Sequence, residues 1–328
     1  MGERVFVTGG SGLIGAALVD RLVADGAEVV ALARSDAAAA ALAARGAQIV
    51  RGDLLDEAAL AAGMREVAVA YNVAGVNTLC PTDPAPLYRV NRDGARAVVR
   101  AAAAAGVRRL VHTSSAATLG EPEGTVGAED SPHRGFFLSD YERSKTEGEQ
   151  AVAEEAQRTG LDVVCVNPSS VQGPGRTGGT GRILLALLDR RLPVFIETRI
   201  SVTDIADTVE GHLLAAQHGV AGRRYVLCGA TMTTAEAFAL LSGVSGRVVR
   251  PRIVPAAVAS AAGAVAEAAY RAARRRPPFC RAMVRTLVHG HVYDGSRAAR
   301  ELGLRYTPVE ETLRRTLQWA RAEGLVRA

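Results

Sequence analysis

The sequence predicts an α/β chain: a doubly wound parallel sheet with a smaller, mainly helical C-terminal lobe. Three observations carry that expectation. Short apolar runs alternate with longer helical stretches through the first half of the chain. The runs are apolar nearly throughout rather than at every second residue, as in strands buried on both faces. After Pro168 the texture becomes loop-rich and then helical.

The elements follow in order. "RVFVTGG" reads as a strand, and "GLIGAALVDRLVADG" as a helix that Gly26 stops. "EVVALAR" is a second strand, and "SDAAAAALAARG" a helix that begins at a Ser or Asp cap. "AQIVRGD" and "DEAALAAGM" repeat the strand–helix pattern, and "VAVAYNVAG" is the fourth strand. A long helix is expected over 85–105, then the strand "VRRLVHTSS", a helix ending near Thr159, and the strand "LDVVCVNPSS". Beyond it come the loop "PSSVQGPGRTGGTG", the helix "GRILLALLDRRL", the strand–helix unit "ISVTDIADTVEGHLLAAQ" and a further strand, "RRYVLCG". Residues 1–167 and about 200–228 are therefore assigned to the sheet domain, and about 168–199 and 229–328 to the second lobe. Repeats of solenoid period are absent from the sequence.

Composition narrows the partners. Of 328 residues 48% are hydrophobic and 22% charged, the proportions of an ordinary globular protein. Aromatic residues make up 4%, too few for a surface that stacks on bases, and the run Arg274–Arg276 has no aromatic interleaving, so no nucleic-acid partner is expected. The net charge of +5 suits an anionic ligand. Cys80, Cys165, Cys228 and Cys280 lie far apart without CxxC spacing and read as reduced thiols, which points to the cytoplasm. His289 and His291 flank a glycine on an expected strand; two histidines do not complete a metal site, so no metal is expected. The chain starts directly with a strand, with no targeting segment before Val5. Residues 254–276 are alanine-rich and interrupted by Glu267. They read as a packed helix or a substrate lid, not as a membrane-inserted or surface-bound one.

Chemistry enters at two places. Gly9, Gly12 and Gly15 stand at the turn from the first strand into the first helix. Glycines there permit a tight turn and let the backbone approach a pyrophosphate, which sits on the N–H groups of the helix start. Strand, glycine turn and helix together point to dinucleotide binding. The second strand ends Ala33-Arg34-Ser35, without the carboxylate that would bind the ribose hydroxyls of NAD. Arg34 can instead clamp a 2′-phosphate, so NADP(H) is expected over NAD(H). Asp53 is placed either to receive the adenine amino group or to cap the next helix.

The second place is "SDYERSKTEGEQ", residues 139–150. The chain has 39 Lys and Arg residues, and Lys145 is its only lysine. Tyr141 and Lys145 stand at i and i+4 on one helix face. An ammonium beside a phenol stabilises the phenolate, and its compact charge can also reach a cofactor ribose. The pair therefore reads as a proton-transfer device, with Lys145 lowering the Tyr141 pKa.

"TGGSGLIG", "GDLLD", "YNVAG", "VNRDGARAVVRAA", "VHTSSAATLG", "YERSK", "VNPSSVQGPGR", "SVTDIADT" and "DGSRAARELG" occur in that order over nearly the whole chain. In this the sequence resembles the extended short-chain dehydrogenases/reductases, the NAD-dependent epimerase/dehydratase family, in a dihydroflavonol-reductase-like branch. The resemblance implies a Rossmann cofactor domain followed by a substrate lobe. It implies a catalytic Ser115 (with Ser114 as the fallback), Tyr141 as general acid–base, and Lys145. Cofactor contacts are implied for Thr8, Gly9, Gly12, Leu13, Ile14, Gly15, Arg34, Asp53, Leu54, Ala74, Gly75, Lys145, Pro168 and Ser170, with Asn91 bracing the site. A homodimer through 85–105 and 140–159 is the family expectation.

Within the family, the 4,6-dehydratases carry Asp-Glu where this chain has Ala116 and Ala117. Sugar-nucleotide epimerases place an arginine where Glu197 stands and carry a later Arg-Pro-Gly-Asp element that is absent here, although Asn167 matches them. The reading is an NADP(H)-dependent reductase of a ketone or aldehyde on a small, hydrophobic metabolite. A sugar or sugar-nucleotide epimerase is the alternative, and the Tyr–Lys pair argues against a non-catalytic dinucleotide sensor.

Overall fold

A computed structural model of the chain describes residues 2–189, 191–275, 277 and 279–327. The sheet domain runs β1 (Arg4–Thr8), α1 (Leu13–Ala24), β2 (Glu28–Ala33), α2 (Asp36–Ala43), β3 (Gln48–Arg51), α3 (Glu57–Gly63) and β4 (Val69–Asn72). The long helix expected over 85–105 is α4 (Ala85–Tyr88) and α5 (Ala95–Ala104), joined by a π-helical turn at Arg89–Gly94. Next come β5 (Arg109–Thr113), α6 (Asp140–Thr159) and β6 (Asp162–Pro168). The second half adds β7 (Ser170–Gln172), α7 (Thr180–Leu188), β8 (Val194–Ile196), β9 (Arg199–Asp204), α8 (Ile205–His218), β10 (Arg224–Leu227), β11 (Ala230–Thr233) and α9 (Thr234–Ser245). It closes with β12 (Arg252–Val254), α10 (Ala256–Ala272), α11 (Arg281–His289) and α12 (Val309–Ala322).

Seven strands form one parallel sheet in the order β10-β6-β5-β4-β1-β2-β3. Successive strands leave β1 in one direction and β4 in the other, so the order reverses between them. Crossover connections open a crevice at such a switch point, outside the carboxyl ends of the strands. Both faces of the sheet are covered. Leu18, Val19, Val209 and Leu213 of α1 and α8 lie on one side against Val5, Val7 and Ala31. Leu60, Val98, Val99 and Val152 of α3, α5 and α6 lie on the other against Phe6, Val30 and Ala70. Burying one such side chain contributes about 1.5–3 kcal/mol, which explains the continuous apolar strands.

The second lobe has its own core, built from Leu184, Leu185, Phe195, Phe238, Leu241, Leu313 and Leu317. A three-stranded sheet, β11-β9-β7, and the pair β12-β8 sit at its base, whereas β10 returns to the main sheet.

Three sequence expectations need correction. Cys80 and Cys280 are paired in a disulfide, with Cα atoms 5.8 Å apart, across 200 residues of sequence. Spacing could not reveal a pair that only the docking of the two lobes creates. The inference of a reducing compartment loses its support with it. Cys165 and Cys228 are unpaired, as expected. His289 and His291 are not on a strand: His289 closes α11 and His291 follows in a loop. Finally, residues 256–272 form a helix that packs along one edge only, with Gly263 as its single buried residue.

Candidate active site

The carboxyl ends of β1 and β4 meet at the switch point through Thr8. Its hydroxyl donates to Asn72 Oδ1 at 2.7 Å and accepts the Ala74 N–H at 3.2 Å. This clamps the Ala74–Gly75 segment against the glycine turn. Gly9 has φ +69°, and a Cβ on it would lie 2.5 Å from Ala74 N. A Cβ on Gly15 would lie 2.2 Å from the Gly9 carbonyl. No other residue fits either place. A Cβ on Gly12 would meet only the Gly9 oxygen, at 3.3 Å, so its outer side is open. α1 starts with no side-chain cap and no acid in its first turn. The Gly12 N–H closes the turn by donating to the Gly9 carbonyl at 2.9 Å, and the next N–H groups, those of Leu13 and Ile14, are left for an anion that approaches over Gly12.

The neighbouring strands end on the same edge. Arg34, past the end of β2, is exposed, and Ser35 beside it caps α2 by accepting the Ala38 N–H at 3.2 Å. Past β3, Asp53 accepts the Leu55 N–H at 3.1 Å. The cap of α3 is Asp56, which accepts the Ala59 N–H at 3.0 Å, so capping does not account for Asp53. Leu54 is buried in the core between β3 and α5.

Ser139 starts α6 by accepting the Glu142 N–H at 3.1 Å, and this puts Tyr141 and Lys145 one turn apart on the inner side. The Tyr141 phenol faces Ser115, whose hydroxyl acts to lower its pKa. Ser115 itself begins a short 3-10 turn after β5, where its Oγ accepts the Ala117 N–H at 3.3 Å. The Ser114 hydroxyl is buried and has no partner. Of the two candidate serines, Ser115 therefore faces the tyrosine. Lys145 donates to the Thr113 carbonyl at 2.8 Å and is buried, which pushes its pKa down to about 8. Its Nζ lies 3.9 Å from where a Gly75 Cβ would stand.

One electrostatic expectation is reversed. Burial raises the Tyr141 pKa above that of a free phenol. The groups pulling against it are the Ser115 hydroxyl and the Arg176 guanidinium, while Lys145 is turned to the Thr113 carbonyl. Sequence reasoning had Arg176 only as part of a loop motif. The loop folds back so that Gly175 approaches Leu13 of the glycine turn, and Arg176 faces Tyr141. The signal was present as the sole basic residue among the glycines of "GPGRTGGTG".

The supporting layer is held by amides. Asn91, on the π-helical turn, accepts the Val76 N–H at 2.8 Å and donates to the Val76 carbonyl at 3.0 Å and Ser144 Oγ at 2.9 Å. It ties the Gly75 segment to α6, and a π-turn at such a place is a common device of functional sites. Asn167 is fully buried and donates to the Ser115 carbonyl at 3.2 Å and to Glu149 at 2.7 Å. It holds the serine loop from behind. Pro168 ends β6, and Ser170 Oγ pairs with Thr180 Oγ1 at 2.8 Å on the floor of the second lobe.

The histidine pair gains a third member. Glu121 Oε1 lies 2.6 Å from His291 Nδ1 and 3.7 Å from His289 Nε2. These donors lie within 4.8 Å of one another, a combination that spacing along the chain could not show. Arg134, paired with Glu142, also acts on Glu121 and on His289. A cation already serves this carboxylate, so the group reads as a carboxylate–imidazole network. The Tyr293 hydroxyl joins it 2.9 Å from His291 Nδ1, and the ring packs on Ala116 and Leu119 behind the serine loop.

Comparison with known proteins shows the family. Residues 5–228 match the family described as NAD dependent epimerase/dehydratase family. A protein of Methylococcus capsulatus named sterol demethylase protein B is 32% identical, over 98% of this chain and 99% of its own. A Stigmatella aurantiaca protein named 4-hydroxy-2-methyl-3-oxo-4-farnesyl-3,4-dihydroquinoline-1-oxide ketoreductase is 33% identical, over 92% of this chain and 91% of its own. The crystal structure of gox2253 superposes with a TM-score of 0.84 at 26% identity, covering 99% of this chain and 100% of that one. The chain belongs to the NAD-dependent epimerase/dehydratase family and is an NAD(P)-dependent oxidoreductase of the extended short-chain dehydrogenase/reductase type.

Proposed function

We propose that the protein is an NADP(H)-dependent reductase of a ketone or aldehyde on a small, hydrophobic metabolite. The observation that carries the reading is Tyr141 facing Ser115, one helical turn from Lys145, whose Nζ stands beside Gly75 at the end of β4. A cofactor would approach the open side of Gly12, while Gly9 and Gly15 keep the turn packed on Ala74 and on the Gly9 carbonyl. The N–H groups of Leu13 and Ile14 would hold its pyrophosphate over the bare face of Gly12, Arg34 its 2′-phosphate, and Asp53 and Leu54 its adenine. Ala74, Gly75, Lys145, Pro168 and Ser170 would hold the nicotinamide half. Bound there, the reduced nicotinamide supplies the hydride.

The chain's own residues do the rest. Ser115 fixes the carbonyl oxygen of the substrate, and Tyr141 gives that oxygen its proton. Burial keeps the Tyr141 phenol protonated at neutral pH, the state a proton donor in reduction needs. Arg176 places a cation at the same oxygen and stabilises the charge that develops there. The Asn167 amide nitrogen, donated to the Ser115 carbonyl and Glu149, weighs against its use on a sugar nucleotide. The name of the Stigmatella relative supports a ketone substrate. A homodimer through 85–105 and 140–159 belongs to the same proposal.

The test is NADPH oxidation by purified protein with alkyl ketones and β-ketoesters, beside UDP-glucose assayed for epimerisation. Ketone turnover without epimerisation is expected; epimerisation without ketone turnover would refute the reading. Arg34→Ser should cost about tenfold or more in preference for NADPH over NADH, in line with the loss of a charge-assisted phosphate contact. An unchanged preference would remove Arg34 from that role.

A further inference from the structure

The second lobe carries a helix with its polarity reversed. α10 packs against α11 along one edge, where a Cβ on Gly263 would stand 3.1 Å from Val284. The acid of this helix, Glu267, is turned to that edge, pairs with Arg271 at 2.8 Å and accepts the Arg281 N–H at 3.0 Å. The solvent side presents Val258, Ala261, Ala262, Val265, Ala268 and Ala269, all exposed and at helical spacing. A water-facing helix side normally carries the charges, so this one has the character of a surface that is covered in use.

Its surroundings share a chemistry. Among the described residues eleven large apolar side chains are exposed, and six of them fall between Val248 and Phe279. Val265 is 70% exposed and Val258 56%. Residues 247–285 contain nine arginines and one acid, an excess larger than the net +5 of the whole chain. The remainder of the protein is therefore net acidic. Arg250 and Arg252 lie exposed before α10, and Arg274 and Arg275 lie exposed after it.

We propose that α10 and its flanking arginines form a docking surface for an anionic phospholipid bilayer. The helix lies along the interface, about 25 Å long at 1.5 Å per residue. Its valine–alanine stripe enters the headgroup–acyl boundary, and the arginines at both ends meet lipid phosphates. It lies on the membrane and does not span it, since among the described residues no helix is long and apolar enough to cross. Charge argues against a second copy of this chain as the occupant, because two such faces would bring arginine clusters of one sign together. The proposal stands on this surface alone and is independent of the reaction assigned to the site.

The full chain would be floated with vesicles of phosphatidylcholine, with and without phosphatidylglycerol, at low and high salt. Binding to the anionic vesicles is expected, weakened roughly tenfold or more by salt or by omission of phosphatidylglycerol. The double variant Val258→Glu, Val265→Glu should lose at least about tenfold in binding, while its circular dichroism and NADPH binding stay those of the parent. Arg274→Gln with Arg275→Gln should remove much of the salt-sensitive part. Hydrogen exchange of the unaltered protein gives a readout free of folding defects: residues 256–272 should slow in the presence of anionic vesicles. Equal binding to neutral and anionic vesicles, or full binding by the glutamate variant, overturns the proposal. So does a dimer that the glutamate variant splits in the absence of any vesicle binding, which would give the face to a second copy.

Discussion

The sheet domain and the C-terminal lobe treat the same residue types in opposite ways. In α1, Leu18 and Val19 are buried completely against the sheet, and the helix turns its charges outward. In α10, the valines face water and the acid is turned in. The first region is organised around a core whose layers fix the ends of β1, β4 and β5 to within a hydrogen bond. The second is joined to it by shared core side chains such as Ala298 and Leu302, by hydrogen bonds such as Thr307 to Asp207, and by the Cys80–Cys280 disulfide. Precision is concentrated at the carboxyl ends of the strands, and the C-terminal lobe keeps a surface no fold requirement explains.

If that division holds, damage at the reacting atoms should abolish activity without touching stability. Tyr141→Phe removes the proton donor and should lower kcat/KM about 10²–10⁴-fold, with NADPH binding and Tm close to those of the parent. A variant with most of its activity would break the assignment. Lys145→Arg keeps the charge but not the compact ammonium, and should also impair turnover. The depressed lysine pKa gives a second handle. Activity should decline as pH passes about 8, where the ammonium is lost, and Lys145→Arg should move that limb upward. Stability runs the other way. The unfolded lysine holds its proton up to about 10.5, so stability rises between the two values as the buried charge is relieved.

The link between the two regions should matter to stability but not to chemistry. Cys80→Ser opens a loop of 200 residues and should cost about 2–4 kcal/mol in chemical denaturation. Reductant should have the same effect on the parent and none on the variant. Equal stability of the two proteins would mean that docking of the lobes does not depend on the bridge.

A third expectation concerns the floor of the site. His212 is fully buried, with Nδ1 donating to the Thr208 carbonyl at 2.7 Å and Nε2 accepting from Thr113 Oγ1 at 2.7 Å. Burial pushes its pKa down to about 4. The unfolded chain takes up the proton near pH 6.5 and the folded one does not, so stability is complete above 6.5 and falls toward pH 4. The loss should reach about 3 kcal/mol. His212→Gln, measured by denaturant midpoints at pH 7 and pH 4.5, should flatten most of that slope. An equally steep slope in the variant would assign it to other groups, such as His112, also buried with a depressed pKa.

Much of the sheet domain was legible because its signals are local. Gly15 is required by the Gly9 carbonyl of its own turn and Gly9 by a φ of +69°, and Tyr141 and Lys145 stand one helical interval apart. The π-helical turn at Asn91 was not legible: its cause is an amide bonding across to Val76 and Ser144, which leaves no periodicity in the sequence. Nor were the residues that depend on the docking of distant segments. Arg176 reaches Tyr141 through a folded-back loop, Glu121 finds His291 across 170 residues, and Cys80 finds Cys280 across 200. The alanine-rich stretch was visible as a helix, but its side turned to water was not, since an apolar stripe reads alike whether it faces a core or a solvent.

That last ambiguity sets the smallest predicted effect and the sharpest use of the comparison. Val265 is 70% exposed, so Val265→Ala should change the free energy of unfolding by no more than about 0.5 kcal/mol, as for a surface site outside any packed contact. A buried valine or leucine of α1 cut to alanine should cost several times as much, because a cavity is added to the lost burial. A cost for Val265→Ala near the buried value would show that the stripe is covered in the free protein, by another segment or another copy. A negligible cost in solution, combined with weaker vesicle binding, would show that these side chains are held for contact with a surface and not for the fold.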